Sequence, residues 1–191
     1  MVLSDHSIKE EIKKGRIKIT PFIPSCVQPA SYDIHLGYQF RVFKNYQAAM
    51  IDVKKPNEDL TELVVVKKHG NFIIHPGEFV LAVVLEDLTL PNDLVVSLDG
   101  KSSLGRIGLL VHSTAGYVDP GWQGQLTLEL SNVSNLPIVL YPEMKIGQLR
   151  FMKLSTPAEC PYGSPKLKSK YQGAKEPESS KIYKEFKRKK Q

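Results

Sequence analysis

The spacing of apolar positions changes once along the chain. Near the start, Leu3, Ile8 and Ile12 recur at helical spacing, Ser4 stands where an N-cap belongs, and Gly15 follows at the C′ position. Leu3 and Ile8 also have the spacing of a hydrophobic staple. One short helix is predicted. From Tyr32 the period drops to two: Tyr32, Ile34, Leu36, Tyr38, Phe40 and Val42 alternate strictly, as in a half-buried strand. Further short strands are predicted at 63–66, 72–75, 79–85, 94–98, 107–111, 126–130, 137–141 and 146–151. Turn signals separate them, among them His75-Pro76-Gly77, Leu90-Pro91-Asn92-Asp93, Asp99-Gly100 and Asp119-Pro120-Gly121. Many short strands with almost no helix predict an all-β fold, a barrel or jelly roll. Strands do not alternate with long helices, which argues against a doubly wound α/β fold.

Composition narrows this little. At 191 residues, 41% apolar and 24% charged, the chain reads as one domain with a tail and not as a disordered polymer. No apolar run approaches the roughly 18 residues that span a bilayer, and the first thirty residues lack a signal-peptide core. A cytoplasmic protein without membrane contact is expected. Cys26 and Cys160 cannot make a disulfide framework.

Charge changes the picture more. Ten of the 26 Lys/Arg but three of the 20 Asp/Glu fall in 165–191, so the first 164 residues carry 16 bases and 17 acids. The net charge of +6 therefore belongs to the tail, and the domain has no basic excess for nucleic acid. The expected organisation is a β-barrel domain over 1–164 and a basic tail over 165–191, its Lys-rich end solvated.

Three segments could carry chemistry. Gly100-Lys101-Ser102-Ser103-Leu104-Gly105-Arg106 resembles a phosphate-binding P-loop, but Val95 stands where that motif needs its first Gly. The next segment is strand-like, so the P-loop reading fails. What survives is either a loop suited to an anion or a polar surface turn. In Leu126-Thr127-Leu128-Glu129-Leu130 the leucines share one face, and Thr127 and Glu129 the other. Glu129 either faces solvent or serves a site; in a closed pocket it would become a general base and acid near neutrality. Asp119 in Asp-Pro-Gly could hold a ligand or be an ordinary turn residue, and the turn is favoured. Zinc chemistry of the nucleobase-deaminase kind needs H-x-E and C-x-x-C. The chain has neither. His75 and His112 are expected to be structural.

Eight segments in order carry a resemblance. They are Met1-Val2-Leu3-Ser4-Asp5, Val27-Gln28-Pro29-Ala30-Ser31-Tyr32-Asp33-Ile34, His75-Pro76-Gly77-Glu78-Phe79, the Gly100-to-Arg106 segment, Thr114-Ala115-Gly116-Tyr117-Val118-Asp119-Pro120-Gly121, Thr127-Leu128-Glu129-Leu130-Ser131-Asn132, Met144-Lys145-Ile146-Gly147-Gln148-Leu149 and Ser169-Lys170-Tyr171-Gln172-Gly173. Together they resemble the deoxycytidine triphosphate (dCTP) deaminases of the trimeric deoxyuridine triphosphatase (dUTPase) superfamily. The resemblance implies a distorted dUTPase-type barrel, a homotrimer with sites at subunit interfaces, and zinc-free hydrolytic deamination of dCTP. By the same resemblance Glu129 is the acid/base, and Ser102 and Arg106 orient it and the attacking water. Thr127, Leu128 and Glu129 form the strand that reads the pyrimidine. Lys101, Ser102, Ser103, Leu104, Gly105, Arg106, Gln148, Tyr162 and Lys170 resemble the nucleotide and phosphate contacts. Mg2+ accompanies the triphosphate without a protein metal site, and dTTP is an implied inhibitor.

Gly116-Tyr117 resembles the members that also cleave the triphosphate and release dUMP and pyrophosphate. In these, Gly leaves room for a second water that Asp119 helps to position. Members that stop at dUTP carry His-Arg there instead, and they are the alternative reading. A pure dUTPase and a non-catalytic nucleotide- or nucleic-acid-binding barrel are the remoter ones. The resemblance further implies that the tail from Tyr162 to about Gly173 folds over bound nucleotide. One position departs: the family's usual Gln four residues after Lys170 is Ala174, with Gln172 as a possible substitute.

Overall fold

A computed structural model describes residues 1–44 and 49–187. The predicted helix is α1 (Asp5–Lys13), with the Ser4 hydroxyl accepting from Ser7 N and Gly15 at φ +70° just beyond the C-cap. Ile8 is its fully buried residue. The strands are β1 (Lys18–Thr20), β2 (Val27–Gln28), β3 (Ser31–Phe43), β4 (Thr61–Val65), β5 (Phe72–Ile74), β6 (Phe79–Thr89), β7 (Leu94–Gly100), β8 (Leu109–Leu110), β9 (Tyr117–Val118), β10 (Gln123–Asn132), β11 (Ile138–Leu140) and β12 (Lys145–Lys153). Single helical turns add α2 (Ser102–Gly105) and a last helix, α3 (Tyr183–Lys187).

Every pairing is antiparallel. Seven strands run in the order β8-β10-β6-β3-β12-β7-β9, with β1 on β6 and β2 and β4 on β3, while β5 and β11 form a separate pair. The long sheet curls into a half-barrel, so the all-β expectation holds. Leu36, Phe40, Leu128, Leu130 and Phe151 meet in its interior without solvent contact.

β3 makes the curl possible. Its first half pairs with β12 and its second with β4 and β6, and the register against β6 shifts between Leu36 and Phe40. Gly37 sits in that shift, where a Cβ would stand 2.7 Å from the Val83 carbonyl oxygen. Only glycine fits so close a crossing. The strand was expected to be half-buried throughout, but residues 32–37 are buried on both faces because they pass between layers.

Other expectations shift in detail. The predicted strand at 107–111 shrinks to β8, because the Gly100-to-Arg106 segment winds into α2 before the sheet resumes. β1, β2 and β9 lie outside the predicted set, being two or three residues long.

Beyond β12 the chain stays on the barrel. Gly173 N donates to Gln123 O, and Gln125 N to Ala174 O, both at 2.8 Å. Lys175 pairs with Asp87. Arg41 donates to the Pro177 carbonyl at 2.7 Å and lies 3.5 Å from Glu176. The hydroxyls of Thr61 and Ser179, both buried, are 2.9 Å apart. The tail thus crosses β10, β6, β3 and β4 in their order in the sheet. α3, where the Lys-rich end begins, is mostly exposed, and the rest of that end lies outside the described residues. Among the described residues no helix is long and apolar enough to cross a membrane.

Candidate active site

β10 builds the first half of the site. Leu126, Leu128 and Leu130 point into the barrel, and Thr127 and Glu129 alternate outward, half-buried. Outward here does not mean solvent. Glu129 pairs across β6 with Leu81, which pairs across β3 with Arg41, and the tail lies over this row. Between sheet and tail is a cavity of about 380 Å³, lined by Glu129, Asp119, Thr127, Tyr117, Trp122 and Tyr162, with Tyr171 and Ser179 of the tail. That volume suits a nucleoside-sized ligand.

The Glu129 carboxylate is held from one side. Its Oε2 accepts from Ser113 N at 3.1 Å, Thr114 N at 3.0 Å and Thr114 Oγ1 at 3.3 Å. Oε1 takes part in none of these bonds. A carboxylate fixed in this way, with one oxygen left over, can exchange a proton with a bound water. Asp119 holds both positions weighed for it: its carbonyl accepts from Trp122 N in the Asp-Pro-Gly turn, and the residue lines the cavity. Tyr162 packs on Trp122 with ring centroids 5.4 Å apart, and its hydroxyl accepts from Tyr171 N. Burial pushes its phenol pKa up.

Lys101, Ser102, Ser103, Gly105 and Gln148 line a different cavity, of about 490 Å³, together with His112. Ser102 is exposed there, and Arg106 lies exposed beside it on α2's C-cap, lining neither cavity. Leu104 turns toward the core. One chain therefore brings Glu129 together with Asp119, Thr127, Tyr117 and Tyr162, and does not bring Ser102 or Arg106 to them. Leu128 faces inward and contributes backbone alone. Lys170 is ion-paired with Glu185 of α3 and lines neither cavity.

Gly116 packs for a reason of its own. Its carbonyl accepts from Leu98 N at 2.7 Å, and a Cβ would stand 3.0 Å from Leu98 O and 3.4 Å from the His112 ring. Any side chain there would press on β7 and on His112. Gln172 is committed to the barrel: Nε2 donates to Gly121 O at 3.0 Å and Oε1 accepts from Gln123 N at 3.3 Å. Ala174 is buried against Gly124.

Sequence reasoning did not single out Trp122, and it read His112 as structural. His112 lines the second cavity while the next two residues hold Glu129 in the first, so one short loop joins the two. Adjacency to Ser113-Thr114 was the available signal. Among the described residues no three His, Cys, Asp or Glu side chains come together as metal ligands.

Comparison with known proteins identifies the family. The family model described as dCTP deaminase-like matches residues 2–154. A relative from Corynebacterium kroppenstedtii named "dCTP deaminase, dUMP-forming" is 57% identical over 186 residues, 97% of this chain and 100% of its own length. One of the same name from Mycolicibacterium vanbaalenii is 55% identical, over 97% of this chain and 98% of its own. Among solved structures, a 2′-deoxycytidine 5′-triphosphate deaminase from Agrobacterium tumefaciens superposes with a TM-score of 0.61 at 24% identity. That match covers 78% of this chain and 47% of the other, a likeness of fold. With a family match running from the N-terminus through β12, and relatives more than half identical over nearly the whole length, this chain belongs to the dCTP deaminase-like family.

Proposed function

We propose that the protein converts dCTP and two waters into dUMP, ammonia and pyrophosphate. The observation that carries this reading is Glu129, a carboxylate anchored through Oε2 inside a nucleoside-sized cavity, in a chain whose near relatives are named for that reaction. Glu129 takes a proton from the water attacking C4 of cytosine and delivers it to the departing amine. The backbone of Thr127, Leu128 and Glu129 reads the pyrimidine edge. Asp119 positions the second water at the α-phosphorus, with Gly116-Tyr117 shaping that end, and pyrophosphate leaves.

Ser102 and Arg106 act on this chemistry from a neighbouring chain. The support is geometric: in one chain they lie away from the Glu129 cavity, so a homotrimer that joins one chain's first cavity to the next chain's second completes the site. Lys101, Ser103, Gln148 and, once released from Glu185, Lys170 then bind the phosphates. Mg2+ would arrive with the substrate triphosphate and offset its charge, as in the family the chain resembles. Inhibition by dTTP would occur at the same site, and the setting is the cytoplasm.

The test is product identification after incubation with dCTP and Mg2+. Accumulation of dUMP and pyrophosphate without free dUTP is expected. Accumulating dUTP would leave a deaminase and overturn the role of Gly116-Tyr117. No conversion would leave a binding protein. Glu129→Gln should lower ammonia release by about 10²–10⁴-fold, with the fold intact by circular dichroism.

A further inference from the structure

Ser31 and Asp33 belong to a segment of the resemblance to which no role attaches, yet both bond to residues that line the second cavity. Two apart on β3, they share one face of the strand. Ser31 Oγ donates to Gln148 Oε1 at 3.2 Å. Lys101 Nζ donates to Asp33 Oδ1 at 2.6 Å, and Lys145 Nζ lies 3.0 Å from Oδ2. The Asp33 side chain is 3% exposed, that of Lys101 26%.

We propose that Asp33 is the positioning residue of the phosphate site: its buried carboxylate fixes the Lys101 ammonium at the cavity before substrate arrives. This rests on the reading of Lys101 as a phosphate contact. Three features support it. Lys145 alone neutralises Asp33, so the bond to Lys101 is not needed for charge balance. An ammonium has three donors, and Asp33 uses one, leaving two for phosphate oxygens. A lysine side chain is a long flexible stem, and fixing its tip beforehand removes an ordering cost from the binding step.

The experiment is a double-substitution cycle on the whole enzyme with Mg-dCTP as substrate. Lys101→Met is measured first and should raise KM. Asp33→Asn should raise KM by about tenfold, equivalent to ~1.4 kcal/mol, with kcat within about twofold. In the Lys101→Met background, Asp33→Asn should add nothing, because its effect passes through that lysine. Lys145→Met should leave KM unchanged. If Asp33→Asn alone fails to fold, Asp33→Asn/Lys145→Met restores charge balance and is compared with Lys145→Met for the same rise in KM. Should Lys101→Met leave KM unchanged, the phosphate reading of Lys101 fails and the proposal with it. Should Lys101→Met raise KM while Asp33→Asn does not, or the two effects simply add, the proposal alone is overturned.

Discussion

Asp33 and Glu86 are both buried acids, and their partners give them different characters. Burial pushes the Asp33 carboxyl up, but hydrogen bonds from Lys101 and Lys145 outweigh it and hold it below its ordinary 3.8. Glu86 instead takes the His35 backbone N–H at 3.0 Å and faces His35 Nδ1 at 2.5 Å, with Cys26 Sγ 3.7 Å from Nε2. A carboxylate with a depressed folded pKa contributes stability above its unfolded pKa of about 4, and that contribution is lost as pH falls through the folded value. Asp33→Asn should therefore cost more stability at pH 7 than near pH 3, measured by denaturant unfolding at both. An equal cost would mean that the lysines do not hold the charge. Cysteine reactivity gives a second check. Cys26 is buried, which pushes its thiol pKa up, while Cys160 is exposed. Iodoacetamide should label Cys160 alone in the native protein and Cys26 only on unfolding. Equal labelling rates would contradict the packing around β3.

At the scale of elements, β10 and the tail depend on each other. β10 was legible because leucines at alternate positions leave one choice of inner face, and Glu129 had to be on the other. What covers that other face was not legible. The tail's contacts there are backbone bonds at Gly173 and Ala174 and single side chains from three strands, and none of these leaves a period in the sequence. Gly124 is a tight point, at φ +131°, where a Cβ would stand only 2.8 Å from Ala174 O. Gly124→Ala should lift the tail from β10 without unfolding the barrel. Trypsin should then cut at Lys175 or Lys181 well before the domain melts, whereas an uncut tail would mean that the strap is held elsewhere.

At the scale of the molecule, the separation of the two cavities predicts complementation. The proposed trimer places each Glu129 beside a neighbour's Ser102, so Glu129→Gln and Ser102→Ala chains, each inactive alone, regain function when co-expressed. Random mixing leaves about a quarter of the sites with both groups intact, and recovered activity should approach that fraction. No recovery in a mixed assembly of confirmed mass would mean that each site is built within one chain.

The sequence by itself determined the strands that turn an apolar row to the core, the cap and end of α1, the location of the charge in the tail and the candidate acid at Glu129. These are local properties, carried by side-chain period and turn chemistry within a few residues. The tertiary structure alone decided that residues 32–37 of β3 are buried on both faces and that Asp33 there meets two lysines. It alone decided that the tail roofs Glu129, and that Ser102 and Arg106 lie away from Glu129 in one chain. Each of these depends on which distant segments pair across the curled sheet, and a period of two reports the two faces of a strand but not what lies against them.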